Sequence, residues 1–305
     1  MAYHILHSYH NLFRNPTAAH SPPQHITTRR CPANIRTPKR IPSPTNPPLT
    51  QPFTMSKSAP AAEYGKRLLP TALDDLVKSE PNRTFAQIPE CSFIAKGFKN
   101  ITVSEVANGV NNMAHWINKN VGKPKTEFQT FAYLGIPDLR YPVVLLAAIK
   151  CGYKVLFPSV RNSVVMNTSL VEQTKCEIFL CSEAYEERFR ALAKEIKGLN
   201  IETRRIPKFA ELFYEPAQAF EYNKMFDEAM WDPVVVLHSS GSTGLPKCIT
   251  LNNGALARVD SDRTVPDVAG REVYNFRSFD YPGEPGKHYL GFPPFHVCPR
   301  PTLSI

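Results

Sequence analysis

The stretch Val234-Val235-Val236-Leu237-His238-Ser239-Ser240-Gly241-Ser242-Thr243-Gly244-Leu245-Pro246-Lys247 decides how this 305-residue chain is read. An apolar, β-branched run predicts a buried strand. It opens directly into a loop made almost wholly of glycine and hydroxyl residues, closed by proline and lysine. Gly241 and Gly244 let the backbone take positive φ and approach a ligand closely, while Ser239, Ser240, Ser242 and Thr243 set hydroxyls beside main-chain N–H donors. That donor density suits a polyphosphate. Lys247 adds a mobile positive charge, and Pro246 stiffens the segment that delivers it. The spacing is not that of the Walker loop GxxxxGK[ST], because Lys247 stands three positions after Gly244 and is followed by Cys248. A plain flexible Ser/Gly connection is the alternative, against which the launching strand and the closing TGLPK argue.

Upstream of this stretch the pattern alternates. The spacing predicts a short helix over 72–79 and a long one carrying Val103, Val106, Ala107, Val110, Met113, Ala114 and Ile117 on one face, with Thr102 and Glu105 as its capping box. Strands are expected over 130–134, 153–157, 177–181 and near 203–206, separated by helices over 141–150, 164–175 and 183–196. Strands alternating with helices of ten or more residues imply crossover units and a mostly parallel sheet. The loop from Ser239 then lies at the carboxyl end of a strand, where α/β sheets bind ligands. Asp138 and Arg140 read as a turn-stabilising pair rather than substrate contacts. Beyond the loop, a strand from Ile249, a turn at Asn253-Gly254 and a helix from Ala255 are expected, followed by an irregular polar segment over 260–281.

Composition narrows the function classes. A hydrophobic fraction of 42% and a charged fraction of 21% belong to a globular protein with a sizeable core. The longest clear apolar run, 143–149, is far too short to cross a bilayer, so no membrane span is expected. The net charge of +9 is concentrated at one end: residues 1–62 hold seven Lys and Arg and no acid, and the remainder is close to neutral. Residues 1–60 also carry 11 of the 29 prolines and are expected to form a disordered Pro/Arg-rich arm, with 61–305 as the globular part. The arm lacks the aromatic-interleaved basic pattern that stacks bases, so no nucleic-acid partner is expected. The seven cysteines form no CxxC pair and suggest free thiols in a reducing, cytoplasmic setting; the arm's acid-free composition leaves mitochondrial import as a second reading. No metal site is visible.

The loop from Ser239 to Lys247 resembles the phosphate-binding signature of the adenylate-forming superfamily of acyl-CoA synthetases, nonribosomal-peptide-synthetase adenylation domains and luciferases. The segment YLGIPDLRYPVVLLAAIKCGYKVLFPSVRNS, residues 133–163, is similar to fungal nonribosomal-peptide-synthetase-like enzymes of the adenylation–thiolation–reductase type. Gly291-Phe292-Pro293-Pro294-Phe295-His296 resembles the family's next signature. The resemblance implies an α/β fold, the N-terminal part of an adenylation domain, with mostly parallel sheets flanked by helices and incomplete at the C-terminus. It also implies an ATP-dependent reaction of a carboxylic acid that gives acyl-AMP and pyrophosphate, followed by transfer to a pantetheine thiol of a carrier domain or of CoA. Ser239, Ser240, Gly241, Ser242, Thr243, Gly244 and Lys247 would hold the ATP phosphates, Lys247 would act catalytically, and His296 would border the acyl and thiol site. The family's Mg²⁺-binding glutamate, ribose-binding aspartate and C-terminal lysine have no counterpart in the tail 297–305. Two further readings therefore stand beside adenylation: an acyl-CoA ligase fragment, and a non-catalytic nucleotide-binding or interaction protein.

Overall fold

The computed structural model describes residues 64–90, 96–239 and 244–260, all within one compact unit of the chain. The expected arm over 1–60, the polar segment over 260–281 and His296 lie outside, or all but outside, the described residues.

Helix α1 (Leu69–Ser79) leads into an antiparallel pair, β1 (Thr84–Pro89) and β2 (Phe98–Thr102). This pair was not expected, because its strands alternate poorly and are half exposed. Helix α2 (Val103–Asn120) begins at the expected capping box: the Glu105 N–H donates to Thr102 Oγ1 at 3.2 Å, and the Thr102 N–H donates to Glu105 Oε2 at 2.7 Å. Then follow β3 (Thr130–Leu134), α3 (Arg140–Lys150), β4 (Lys154–Leu156), α4 (Val164–Thr174), β5 (Ile178–Cys181), α5 (Glu186–Glu195) and β6 (Glu202–Arg205). The expected helix over 183–196 is divided, with a 3₁₀ turn at Glu183–Tyr185 before α5. Short helices α6 (Phe209–Phe213) and α7 (Phe226–Ala229) precede β7 (Pro233–Ser239), β8 (Lys247–Asn252) and α8 (Asn253–Asp260).

The main sheet has six strands in the order β6-β5-β3-β4-β7-β8, parallel except for the antiparallel pair β7–β8. β3 is buried along its whole length. Its alternation feeds two apolar layers: Phe131 and Tyr133 pack with α2 and α3 on one face, while Ala132 and Leu134 pack with Leu170, Val171, Phe189 and Leu192 of α4 and α5 on the other. The result is the α/β arrangement that the alternating pattern implies, a mostly parallel sheet flanked by helices. Gly109 lets α2 lie close on α3; a Cβ there would meet the Val143 side chain at 3.3 Å.

Two polar devices tie the first layer together. The Lys150 ammonium, almost fully buried, donates to both carboxylate oxygens of Asp74 at 3.0 Å and to the Phe220 carbonyl at 3.0 Å, joining α1, α3 and the chain before α7. On α2, three asparagines hold the irregular run that follows α6. Asn108 donates to the Glu215 and Phe213 carbonyls and accepts from the Ala217 N–H, Asn112 donates to the Leu212 and Glu215 carbonyls, and Asn111 accepts from the Phe220 N–H. These side chains satisfy main-chain groups that no strand or helix partners.

Removing a partner from a buried ammonium leaves its charge without compensation, whereas an exposed pair contributes little. Asp74→Ala should therefore lower unfolding stability in urea by about 1–3 kcal/mol, below the roughly 3–5 kcal/mol of a fully buried pair because Asp74 is partly exposed. Asp75→Ala, which removes the exposed pair with Lys78, should change it by less than about 0.5 kcal/mol.

Candidate phosphate-binding site

The Ser/Gly-rich loop after β7 connects the two strands of an antiparallel hairpin. β7 runs parallel to β4 and ends with Ser239 at the carboxyl edge of the sheet; β8 returns, and Ser239 stands opposite Lys247 in the register. Seven residues, 240–246, connect the two positions. Of the expected phosphate-binding residues, Ser239, Gly244 and Lys247 are described, and Ser240, Gly241, Ser242 and Thr243 lie outside the described residues. Gly244 takes φ +81°, and among the described residues nothing would meet a Cβ there, so its backbone conformation is what calls for glycine. Ser239 and Lys247 are exposed, and Pro246 is buried.

One expectation changes in detail. The strand after the loop begins at Lys247, two residues before Ile249, and α8 begins at Asn253 without an intervening turn. The lysine is thus rooted in a strand, its main chain paired with Ser239. Adjacent strand residues point to opposite faces, and Cys248 packs against the layer of α4 and α5, so the Lys247 side chain leaves from the other face.

Residues that the motif did not reveal support the hairpin. In the loop between β4 and α4, buried Asn162 donates to Asn167 Oδ1 at 3.0 Å and lies 3.4 Å from His238 Nε2, one residue before Ser239. The Phe157 N–H donates to the Val236 carbonyl at 3.2 Å, which anchors that loop to β7. From α4, Gln173 donates to the Pro246 carbonyl at 3.0 Å and accepts from the Cys248 N–H at 3.3 Å. No short motif marks these positions; only the packing of α4 and of the β4–α4 loop against the hairpin brings them to it.

The turn after β3 is closed on itself. Arg140 makes a two-pronged pair with Asp138, through Nε at 3.0 Å and the terminal nitrogen at 2.7 Å, and its N–H donates to Asp138 Oδ1 at 2.9 Å. Side-chain exposure of Arg140 is 9%, so this pair holds the turn, as expected from the sequence. Tyr141 exchanges hydrogen bonds with the main chain of Gly135 at 3.2 and 3.3 Å beneath it.

The family described as AMP-binding enzyme matches residues 74–298 of this chain. The chain belongs to that family. Among curated relatives, the carboxylic acid reductase of Neurospora crassa is 37% identical over 204 residues, which are 67% of this chain and 19% of that protein. The isocyanide synthase–NRPS hybrid crmA of Aspergillus fumigatus is 33% identical over 214 residues, 69% of this chain and 14% of that protein. The chain therefore spans about a fifth or less of the length of these two relatives. The solved N-terminal subdomain of Klebsiella oxytoca NpsA is 18% identical with a TM-score of 0.47, over 64% of this chain and 44% of that one.

Thiol chemistry offers a probe next to the lysine. Burial pushes the thiols of Cys151 and Cys176 up to about 12 and that of Cys181 up to about 11, and it raises Cys248 as well. A raised pKa lowers the thiolate fraction at a given pH, and only the thiolate is alkylated. Cys176 and Cys181 are moreover closed to solvent, while Cys248 is half-buried. At pH 8, iodoacetamide should modify Cys248 before Cys176 and Cys181, with a rate that climbs as pH rises. Peptide mass spectrometry showing Cys176 modified first would contradict the packing.

Proposed function

We propose that the hairpin from Ser239 to Lys247 holds the triphosphate of ATP, and that the chain serves ATP-dependent adenylation of a carboxylic acid. The observation that carries this reading is membership of the AMP-binding family over 74–298 together with the exposed Ser239 and Lys247 facing each other across the hairpin mouth. In the reaction, a carboxylate oxygen attacks the α-phosphorus of ATP, forming the acyl–phosphate bond of acyl-AMP, and the bond to the β-phosphate breaks to release pyrophosphate. The Lys247 ammonium is suited to neutralise charge that builds on the departing phosphates, and the hydroxyls and main-chain N–H groups of Ser239, Ser240, Gly241, Ser242, Thr243 and Gly244 are suited to orient them. Among the described residues, no cluster of three or more His, Cys, Asp or Glu could hold the Mg²⁺ that accompanies ATP.

His296 is proposed to border the acyl and thiol site, and the acceptor of the activated acyl group to be a pantetheine thiol on a carrier domain or on CoA. Similarity to a protein named as a carboxylic acid reductase and to an NRPS hybrid supports a carrier-bound thiol as the nearer choice. Among the described residues, no helix is long and apolar enough to cross a membrane.

Equilibrium binding of a fluorescent ATP analogue, displaced by ATP, tests the site directly. Lys247→Ala should weaken ATP by about tenfold or more, as expected for losing a hydrogen bond to a charged group. Carboxylate-dependent exchange of labelled pyrophosphate into ATP then separates adenylation from binding alone. Exchange should appear with some members of a mixed aliphatic and aromatic acid panel and fall about 100-fold in Lys247→Ala. Equal ATP affinity in both proteins would remove the lysine from the site, and binding without exchange would favour a nucleotide-binding role.

A further inference from the structure

Gln173 sits on α4, far from the glycine-rich motif in sequence, yet its amide meets both peptide groups that flank Lys247. Its nitrogen donates to the Pro246 carbonyl at 3.0 Å, an oxygen that belongs to the peptide on one side of the Lys247 Cα. Its Oε1 accepts from the Cys248 N–H at 3.3 Å, which belongs to the peptide on the other side. The second amide hydrogen goes to Ser169 Oγ at 3.0 Å, one turn back on α4, so the amide's orientation is fixed from its own helix. The Cys248 N–H can only donate, which settles which end of the amide carries oxygen.

The topology explains why a side chain is needed there. β8 is the edge of the sheet among the described residues, with β7 on one side. The Pro246 carbonyl and the Cys248 N–H point away from β7, and Gln173 takes the place that a neighbouring strand would occupy. Lys247 is therefore held from both sides: Ser239 pairs with it across the hairpin, and Gln173 grips the peptides before and after it from outside. A lysine reaches its target through four rotatable bonds, so the placement of its Cα decides how often the ammonium meets a phosphate.

We propose that Gln173 is a positioning residue for Lys247, acting on bound phosphates only through the backbone of β8; this rests on the reading of the hairpin as the ATP-phosphate site. The amide itself touches no ligand in this scheme, which distinguishes it from a direct phosphate contact. Gln173 is exposed, so replacing it leaves the apolar layers intact.

The test is a double-substitution cycle with Gln173→Met, which keeps length and removes both hydrogen-bonding ends. In the otherwise unchanged 305-residue chain, Gln173→Met should weaken ATP by about threefold to tenfold. In a chain already carrying Lys247→Ala it should change ATP affinity by less than about twofold, because the group it positions is gone. Hydrogen exchange gives a second readout that does not depend on ATP: the Cys248 amide should exchange faster in Gln173→Met, while amides of β3 and β5 keep their rates. An equal loss of affinity in both backgrounds would overturn the positioning role, since a general loosening of the site predicts it. Unchanged Cys248 exchange would overturn the clamp itself. Failure of the unsubstituted chain to bind ATP would overturn the phosphate-site reading and the positioning role with it, while accelerated Cys248 exchange would still show the amide holding the strand.

Discussion

The register that sets Ser239 opposite Lys247 is the constraint on which the site depends. A Ser/Gly-rich loop has many conformations, and closing it is opposed by the entropy of its ends. Here the ends are not free. The β7–β8 ladder, running from Pro233 opposite Asn252 to Ser239 opposite Lys247, brings them together through the folding of the sheet. The entropy of closure is thus met by β-pairing. A one-residue slip of β8 would turn Lys247 to the face now taken by Cys248 and bury a cation against the layer of α4 and α5. Both faces of β7 are committed, Val235 and Leu237 to one layer and Val236 to the other, which makes such a slip unfavourable.

The support for that hairpin comes from the parallel part of the sheet. β4 is only three residues long, yet it pairs with β3 on one side and β7 on the other, so the hairpin inherits the position of the fully buried β3 through it. The β4–α4 loop and α4 then contribute Asn162 and Gln173, one toward the end of β7 and the other toward the start of β8. A single crossover unit thereby touches both ends of the candidate phosphate loop.

Most of the fold was legible because its signals are local. The face of α2 and its capping box are written in residues three and four apart, and the structure has both. The strands β3, β5 and β7 were readable as short apolar runs because they are buried on both faces, where no polar alternation is required. What escaped reading is what depends on distant partners. β1 and β2 are half-exposed and acquire their identity from each other. β8 begins two residues before its apolar run, because Lys247 and Cys248 look like loop until β7 pairs with them. At the site, the glycines, hydroxyls and lysine announced themselves by type and spacing; Gln173 and Asn162 are common polar residues whose meaning comes only from what lies across from them.

The asparagines of α2 give the chain between α6 and β7 an unusual freedom. Asn108, Asn111 and Asn112 address carbonyls and N–H groups from Leu212 to Phe220, and therefore recognise the presence of a backbone rather than the identity of its side chains. A segment held in this way can drift at its exposed positions, 214–216, 218 and 219, without losing its place, provided that Leu212, Phe213 and Phe220 stay apolar and no proline removes the N–H at 217 or 220. The information that specifies its path is stored about a hundred residues earlier, on a helix whose other face is occupied with the core.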